Sequence, residues 1–416
     1  MLSVFVGVLR DIRVLVRCTD RFHHHWCILS PPLTSIYKNQ NQLLIMFKDF
    51  PFHKVNWKTS SFLIGTTLIS LIGVPIYLFT HGLPSAVFQL SMFFFFTVAT
   101  IMSITLGYHR LFSHLAFKAK WPVKFVTLVF GAAAFENSCL SWASDHRHHH
   151  KHVDHDEDPY SISRGFFYAH IGWLLFKLDP MPVMDNVNDL KKDKLVMWQD
   201  KWVHLIGLIA GLVIPPAIGY MVGGASVALG TFLIAGILRI LVVHHCTFFI
   251  NSLCHTLGTR PYNSGNSARD SAIMAVFTCG EGYHNYHHAF QHDYRNGVKP
   301  WQFDPTKWMI WTLSKLGLTS NLRRVSDAKI LLAEMREAKR LIEQKKELTE
   351  EKDESCPIRE RAEEMIDSLS DRLAECYKTI DAAIADKVEL SKSALKEIHV
   401  ETRAVVKAIG RVKSST

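Results

Sequence analysis

The chain has 416 residues, of which 48% are hydrophobic and 26 are phenylalanine, and its formal net charge is +9. This apolar content exceeds what an ordinary soluble domain needs and indicates membrane-spanning segments. In a membrane protein an excess of basic residues marks cytoplasmic segments, so the charge gives no reason to expect a nucleic-acid partner. The 8 cysteines form no C-x-x-C pair, which favours reduced structural thiols over zinc ligands or disulfides.

Residues 1–45 differ from the rest of the chain. Arginines interrupt their short apolar runs, so they lack the continuous apolar core of a signal peptide. We interpret them as an extension that does not belong to the native protein, which would then start at Met46.

The membrane domain is predicted over residues 46–325. It contains four apolar segments long enough to cross a bilayer, at about 61–80, 85–107, 203–223 and 226–250.

Basic residues set the predicted orientation of these spans. The loops at 81–84 and 219–225 contain no Lys or Arg. Arg239 lies inside the fourth span and should face the protein interior. All other basic residues lie before the first span, between the second and third, or after the fourth. The positive-inside rule therefore places both termini in the cytoplasm, in a bacterial inner membrane or the endoplasmic reticulum.

Two further segments have a distinct character. Residues 121–143 are apolar but interrupted by Lys124, Glu136 and Asn137, which favours an interfacial or re-entrant helix over a fifth span. Residues 326–416 carry apolar residues at helical spacing among many charges, broken by Pro357. This pattern predicts a helical hairpin or coiled-coil-like tail, either solvated without a specific partner or used for homo-oligomerisation.

Histidines cluster at four places on the predicted cytoplasmic side. Two clusters share the spacing H-x-x-H-H, which puts three imidazoles on one face of a helix and leaves His148 roughly opposite. The H-x-x-x-x-H pair at 109–114 is separated by about 140°, so its rings either address different metals or lie on a helix that unwinds. The candidate ligands are His109, His114, His146, His149, His150, His255, His284, His287 and His288.

Nine imidazoles suit two metal ions. The set contains nitrogen donors and no thiolate, and zinc, copper and iron all accept imidazole. A structural zinc site would need four ligands and would normally include cysteine. We favour iron, because an oxidation chemistry beside the membrane makes sense of the site.

The motifs around these histidines resemble the membrane fatty acyl desaturase family, specifically its delta-9, stearoyl-CoA desaturase-like branch. The resemblance covers roughly residues 47–325. It rests on GYHRLFSH at 107–114, DHRHHHK at 145–151, NS and His at 251–255 with RPY at 260–262, and GEGYHNYHH at 280–288. The segments 293–297 and 304–308 are more similar to bacterial and acyl-lipid relatives.

This resemblance implies an all-α membrane protein, with four transmembrane helices under a cytoplasmic helical cap that holds two ferrous ions. It implies that the nine histidines bind the irons and that Asn251 holds a water on one of them. The implied reaction uses O₂ and two electrons to insert a cis double bond into a saturated acyl chain. Because the sequence contains no haem, flavin or iron–sulfur motif, we expect a separate electron donor, a cytochrome or a ferredoxin with its reductase.

The resemblance also implies substrate-binding residues near the thioester head group: Asn137, Asp145, Lys177 and Phe248. Ser144 and Leu178 replace residues that are usually basic in the animal enzymes, and Phe248 replaces a tryptophan. The acyl carrier therefore stays open between CoA, a lipid and acyl-carrier protein. Two other functions stay open as well, a fatty acyl or alkane hydroxylase with the same site and a non-catalytic histidine-rich metal transporter.

Overall fold

The structure is a computed structural model that describes residues 52–83, 85–178, 184–350, 357–386 and 390–409. The extension predicted at 1–45 lies outside these residues. The described chain is mainly helical, as the predicted all-α class requires. In chain order the helices are α1 (Trp57–His81), α2 (Ala86–Ser113), α3 (Trp121–Ala132), α4 (Cys139–His152), α5 (Lys194–His255), α6 (Ala272–Phe277), α7 (His284–Ala289), α8 (Pro305–Lys315), α9 (Asp327–Glu350), α10 (Pro357–Ala385) and α11 (Lys392–Ile409).

Short elements complete the described fold. Single helical turns occur at Phe52–Lys54, Ile162–Arg164, Tyr168–Gly172, Trp173–Leu175 and Leu190–Lys192. Strand β1 (Lys118–Ala119) pairs antiparallel with β2 (Thr319–Ser320), with Lys118 opposite Ser320. This pair joins the start of α3 to the chain that follows α8.

Three helices, α1, α2 and α5, are long and apolar enough to cross a membrane. The third and fourth predicted spans both belong to α5, which has 62 residues. Its helical geometry is interrupted at Gly223 and Gly224, where Gly224 has φ +68° and ψ −160°, a conformation essentially restricted to glycine. Beyond this break the chain returns, because Arg239 donates to the carbonyl of Gly211 at 3.3 Å. The two arms of α5, 194–222 and 225–255, therefore run antiparallel.

Arg239 faces the protein interior, as predicted for an ionisable residue at that depth. Its side chain is fully buried, and its guanidinium donates to the carbonyl oxygens of Ala235, Ala133 and Gly211. These acceptors belong to both arms of α5 and to the end of α3. A buried guanidinium with carbonyl partners thus ties three segments together.

Helix α3 is shorter than the apolar stretch that contains it. At 12 residues it is about 18 Å long, too short for a hydrocarbon core of about 30 Å. Trp121 and Val126 on its outer side are 69% and 50% exposed. The helix therefore does not form a fifth span, although its position at the membrane surface stays a prediction.

The tail forms three helices that pack on one another. Pro357 begins α10, so it marks a break in the helical run as expected. A third helix, α11, goes beyond the hairpin that the sequence suggested. Leu331, Met335, Ile366 and Ile398 are among the buried residues of the shared core. Four of the apolar residues that suggested an oligomerisation segment, Leu331, Met335, Ile366 and Leu369, are thus buried within the bundle itself.

The break in α5 makes a prediction about stability. Gly224→Ala should lower the free energy of unfolding by about 1–3 kcal/mol, because a side chain is strained in this backbone conformation. Gly65 in α1 is the matched control, since a Cβ added there meets no heavy atom within 4 Å. Gly65→Ala should be neutral or stabilise by up to about 1 kcal/mol. Thermal unfolding of both variants in detergent measures the difference, and equal midpoints would contradict the strained break.

Candidate metal centre

All nine predicted histidines converge in two adjacent groups. Within each group, every ring offers one nitrogen atom, and these nitrogen atoms lie within 4.8 Å of one another. The rings of His150 and His288, one from each group, stack with their centroids 4.3 Å apart. The first group contains His109, His114, His146, His150 and His287, and the second contains His149, His255, His284 and His288.

His109 and His114 belong to the same group, so the grouping does not favour the alternative in which their rings address different metals. The end of α2, Ser103–Ser113, is a π-helix. The His114 N–H donates to the His109 carbonyl at 3.1 Å, which is an i→i+5 hydrogen bond. This wider turn brings residues five apart onto one side, and the two ring centroids are 4.8 Å apart. The helix widens between the ligands instead of unwinding.

Each H-x-x-H-H unit supplies both groups. In α4, His146 and His150 enter the first group and His149 the second. In α7 the assignment is reversed, because His287 enters the first group while its two neighbours in the motif enter the second. The shared helical face predicted for each motif thus lies between the groups, and neither group is complete without both helices.

In two of the rings, the nitrogen atom that points away from the groups contacts a buried carboxylate. Nδ1 of His109 lies 2.8 Å from Oε2 of Glu281, and Nδ1 of His149 lies 2.9 Å from Oδ1 of Asp158. Both carboxylate side chains are less than 5% exposed. Partners of this kind fix the orientation and tautomer of a ring and leave Nε2 available to a metal.

Glu281 also belongs to a buried ion network. Nη2 of Arg110 lies 2.9 Å from Glu281 and 3.0 Å from Asp304, which also caps the start of α8. Burial alone would raise the pKa of the Glu281 carboxyl, but His109 and Arg110 outweigh it and lower the pKa to about 2. Glu281 therefore stays ionised at neutral pH and can accept a hydrogen bond from the His109 ring.

Sequence reasoning did not assign roles to Glu281 and Asp158. Neither residue repeats a spacing, and their partners are fixed only by the fold. The available signals were weak: Glu281 lies three residues before His284, inside the GEGYHNYHH motif, and Asp158 ends the acidic segment 154–158.

The residues present fit metal ions. Facing Nε2 atoms of paired rings lie 2.8 to 3.1 Å apart, and Nε2 of His149 is buried without a hydrogen-bond partner. Unpaired lone pairs converge here, which is costly unless a cation binds them. Burial, and then the neighbouring imidazoles, hold the pKa of the following rings well below the usual value, so they are neutral donors: His114, His146, His150, His284, His287 and His288.

Asn251 lies close to the second group in sequence. It is partly buried and precedes His255 by four residues near the end of α5. Residues four apart lie on the same side of a helix. The second group has four imidazoles and the first has five. Because Leu253–His255 form a 3-10 turn, this spacing does not by itself place Asn251 beside the second group, and its role in holding a water stays a prediction.

Of the first two predicted substrate residues, Asn137 lies just before α4 and Asp145 lies in the middle of that helix. Asn137 is exposed, has φ +77° and donates to the Ser141 hydroxyl at 3.2 Å. Burial raises the pKa of the Asp145 carboxyl to about 7. Ser144, beside it, is buried and donates to Asn186 at 2.8 Å, so this position points into the protein.

The other two predicted substrate residues have different surroundings. Lys177 is exposed and donates to the His53 carbonyl at 3.0 Å. Phe248 is 5% exposed and packs against the His244 ring, with centroids 5.5 Å apart. Among the described residues, no hydrogen bond or ion pair joins the four predicted substrate side chains to one another. Their substrate roles stay a prediction.

Neighbouring histidines in α4 provide a test of the ligand assignment. His149→Ala should lower the metal content below two ions per chain, because it removes one of four imidazoles from the second group. His148 packs beside His152 with ring centroids 4.6 Å apart, outside both groups, so His148→Ala should leave the metal content unchanged. Elemental analysis of purified protein measures both. Equal loss in the two variants would show that α4 presents another face to the centre.

The carboxylate behind His149 provides a second test. Asp158→Asn should lower metal affinity by about 10–100-fold, because the ring loses the anion that orients it. Glu157 is the matched control, since its side chain is 61% exposed and lies 4.0 Å from His152. Glu157→Gln should bind metal like the wild type in a chelator competition. An unchanged affinity in Asp158→Asn would remove Asp158 from the site.

Comparison with known proteins gives a consistent result. The profile of the fatty acid desaturase family matches residues 84–317, which include all nine histidines. A probable acyl-CoA desaturase of Schizosaccharomyces pombe is 39% identical over 277 residues, 66% of this chain and 56% of that protein. Acyl-CoA desaturase 1 of Saccharomyces cerevisiae is 35% identical over 316 residues, 74% of this chain and 61% of that protein.

A mammalian protein is similar as well. The stearoyl-CoA desaturase of Sus scrofa is 34% identical over 249 residues, 59% of this chain and 69% of that protein. The chain spans less than two thirds of the length of the two yeast relatives. The likeness to bacterial enzymes suggested by residues 293–308 stays a prediction. Because the family profile covers more than half of the 416 residues and the chain contains three long apolar helices, it is an integral membrane protein of the fatty acid desaturase family.

Proposed function

We propose that the chain desaturates a saturated fatty acyl-CoA at the delta-9 position, using O₂ and a non-haem di-iron centre. The observation that carries the proposal is the pair of adjacent imidazole groups, in a family whose similar members are named acyl-CoA and stearoyl-CoA desaturases. Such a centre suits the biosynthesis of unsaturated fatty acids.

The nine histidines would hold the two irons, five on one ion and four on the other. Asn251 would hold a water on the second ion. When bound, the iron pair supplies the activation of oxygen. Iron is favoured over structural zinc because the set lacks thiolates and one group exceeds the four ligands of a tetrahedral site.

The helix directions support four spans under a cytoplasmic cap. Helix α2 and the second arm of α5 both end in histidine ligands, so they run towards the same side of the membrane. Helix α1 and the first arm of α5 precede them and run the other way. The cap, with α4 and α7, would then lie in the cytoplasm with both termini. Helix α3 would lie at the membrane surface.

The thioester end of the substrate would lie near Asn137, Asp145, Lys177 and Phe248. CoA is the proposed carrier because the similar proteins are named for it. Electrons would come from a separate cytochrome, or from a ferredoxin with its reductase. The protein's own contribution is fixed positioning: neutral, oriented imidazoles on one side and apolar helices that exclude water around the acyl chain.

Expression in a yeast strain that cannot make unsaturated fatty acids tests the proposal. The full chain should restore growth without supplement and convert labelled stearate to a product lighter by two hydrogens, with the double bond at carbon 9. His149→Ala should give no product, and His148→Ala should give wild-type amounts. A product heavier by one oxygen would indicate a hydroxylase instead. Zinc-loaded protein that moves zinc across vesicles and forms no product would indicate the transport alternative.

A further inference from the structure

We propose that the C-terminal bundle α9–α11 positions the ligand-bearing helix α7 and thereby retains metal in both groups. This inference rests on the metal centre proposed above and gives the tail a role in it. The contacts run from α9 to the loop 259–270, and from that loop to the histidines.

Helix α7 needs support from outside. It has six residues, too few to be stable alone, and it carries three of the nine imidazoles. Its Asn285 is fully buried. The N–H groups of Tyr262 and Asn263 donate to Asn285 Oδ1 at 2.9 and 3.3 Å. Asn285 Nδ2 donates to the carbonyls of Asn263 and Ala268 at 2.6 and 2.9 Å, so the loop 259–270 fixes the helix.

The same loop also holds His255. Nδ1 of His255 lies 2.6 Å from Oγ of Ser267. The Ser267 N–H donates to Oδ2 of Asp154 at 2.6 Å, which connects the loop to the chain that follows α4. The loop is closed at its base by the backbone bridge between Thr259 and Asp270. Together with α7, it therefore supports ligands of both groups.

Helix α9 binds this loop through a buried carboxylate. Oε2 of Glu337 accepts a hydrogen bond from the Ser264 N–H at 3.0 Å, and Oε1 accepts one from Arg340 Nε at 3.3 Å. Glu337 is only 7% exposed, although it lies in the middle of a helix rich in exposed charges. A charged acceptor on a backbone N–H is among the stronger hydrogen bonds in a protein.

An apolar contact lies beside the polar one. Ile330 of α9 packs with Tyr262 of the loop and Tyr286 of α7, all less than 9% exposed. The two tyrosine rings meet edge to face, with centroids 5.2 Å apart. Helix α9 is itself held by the bundle core and by the contact of Glu334 with His399 at 3.0 Å. Buried contacts thus continue from the bundle core to the metal ligands.

The test uses the full chain, purified in detergent and loaded with Fe²⁺ or Co²⁺. Glu337→Ala should release metal to a chelator about 10-fold faster, because the loop loses its acceptor and α7 loosens. The visible ligand-field spectrum of the Co²⁺ form should shift, which a change confined to the bundle would not cause. Glu337→Gln should restore both properties, since its amide oxygen still accepts from Ser264.

Glu343 on the same helix provides the matched control, because its side chain is 59% exposed and pairs only weakly with Lys339 at 3.8 Å. Glu343→Ala should behave like the wild type. The inference is overturned if folded Glu337→Ala keeps the wild-type release rate and spectrum, or if Glu343→Ala releases metal equally fast. If Glu337→Ala does not fold, Ile330→Ala carries the same expectation and the same overturning result.

The outcome also separates this inference from the proposed function. A wild-type chain that binds no metal would refute the metal centre and the inference with it. A chain that binds two metals without desaturating any lipid would refute the proposed reaction alone. The release rate of Glu337→Ala would then still decide whether the bundle positions α7.

Discussion

The structure depends on keeping nine imidazoles oriented and close together inside the protein. Burial favours the neutral ring, because a charged imidazolium would lose its hydration. Neutral rings with facing nitrogens leave lone pairs that only a cation satisfies well. The surrounding carboxylates, Glu281 and Asp158, lie within 2.9 Å of the outer nitrogens of His109 and His149 and so aim the inner ones at the metal. The rest of the fold can be understood as the means of holding these rings in place.

One part of that support comes from the membrane helices. The carbonyls of Ala133 and Ala134, between α3 and α4, accept hydrogen bonds from Arg239 and His244 of α5. The start of α4 is therefore fixed by a long apolar helix, and this fixes the position of the ligands that α4 carries.

Another part of the support comes from the ion network around Arg110. It joins the end of α2 to the chain before α7 and to the start of α8. Arg110 contacts the carboxylates of Glu281 and Asp304. N–H groups of Asn296 and Gly297 donate to these carboxylates as well, which makes their burial tolerable.

The sequence predicted the components of the site better than their arrangement. The repeated H-x-x-H-H spacing identified the ligands of α4 and α7, and hydropathy identified the apolar segments. The widening of α2 into a π-helix has no sequence signal, because an i→i+5 turn uses the same residue types as an α-helix. This is why His109 and His114 were expected to point apart. His149 and His287 each belong to a different group from the other two histidines of their motif, and the sequence did not predict this. Helical periodicity predicts which residues share a face of a helix, but it does not predict which metal group each residue on that face contacts.

Long-range partners explain the remaining gaps. Asp158 and Glu281 contact rings whose positions are set by other helices, and no local sequence pattern predicts these contacts.

The tail is the clearest case of a contact that the sequence does not predict. Its composition predicted helices, and the structure has helices there, but in the sequence nothing distinguishes Glu337 from the other charges of α9. Only the fold shows it buried against the backbone of Ser264. A carboxylate buried in a helix interface carries a desolvation cost, and the Ser264 N–H and the Arg340 guanidinium together offset it. The same physical rule governs Glu281, Asp158 and Glu337: each is buried where several polar partners offset its desolvation, and at least one of those partners lies on or beside a segment that carries metal ligands.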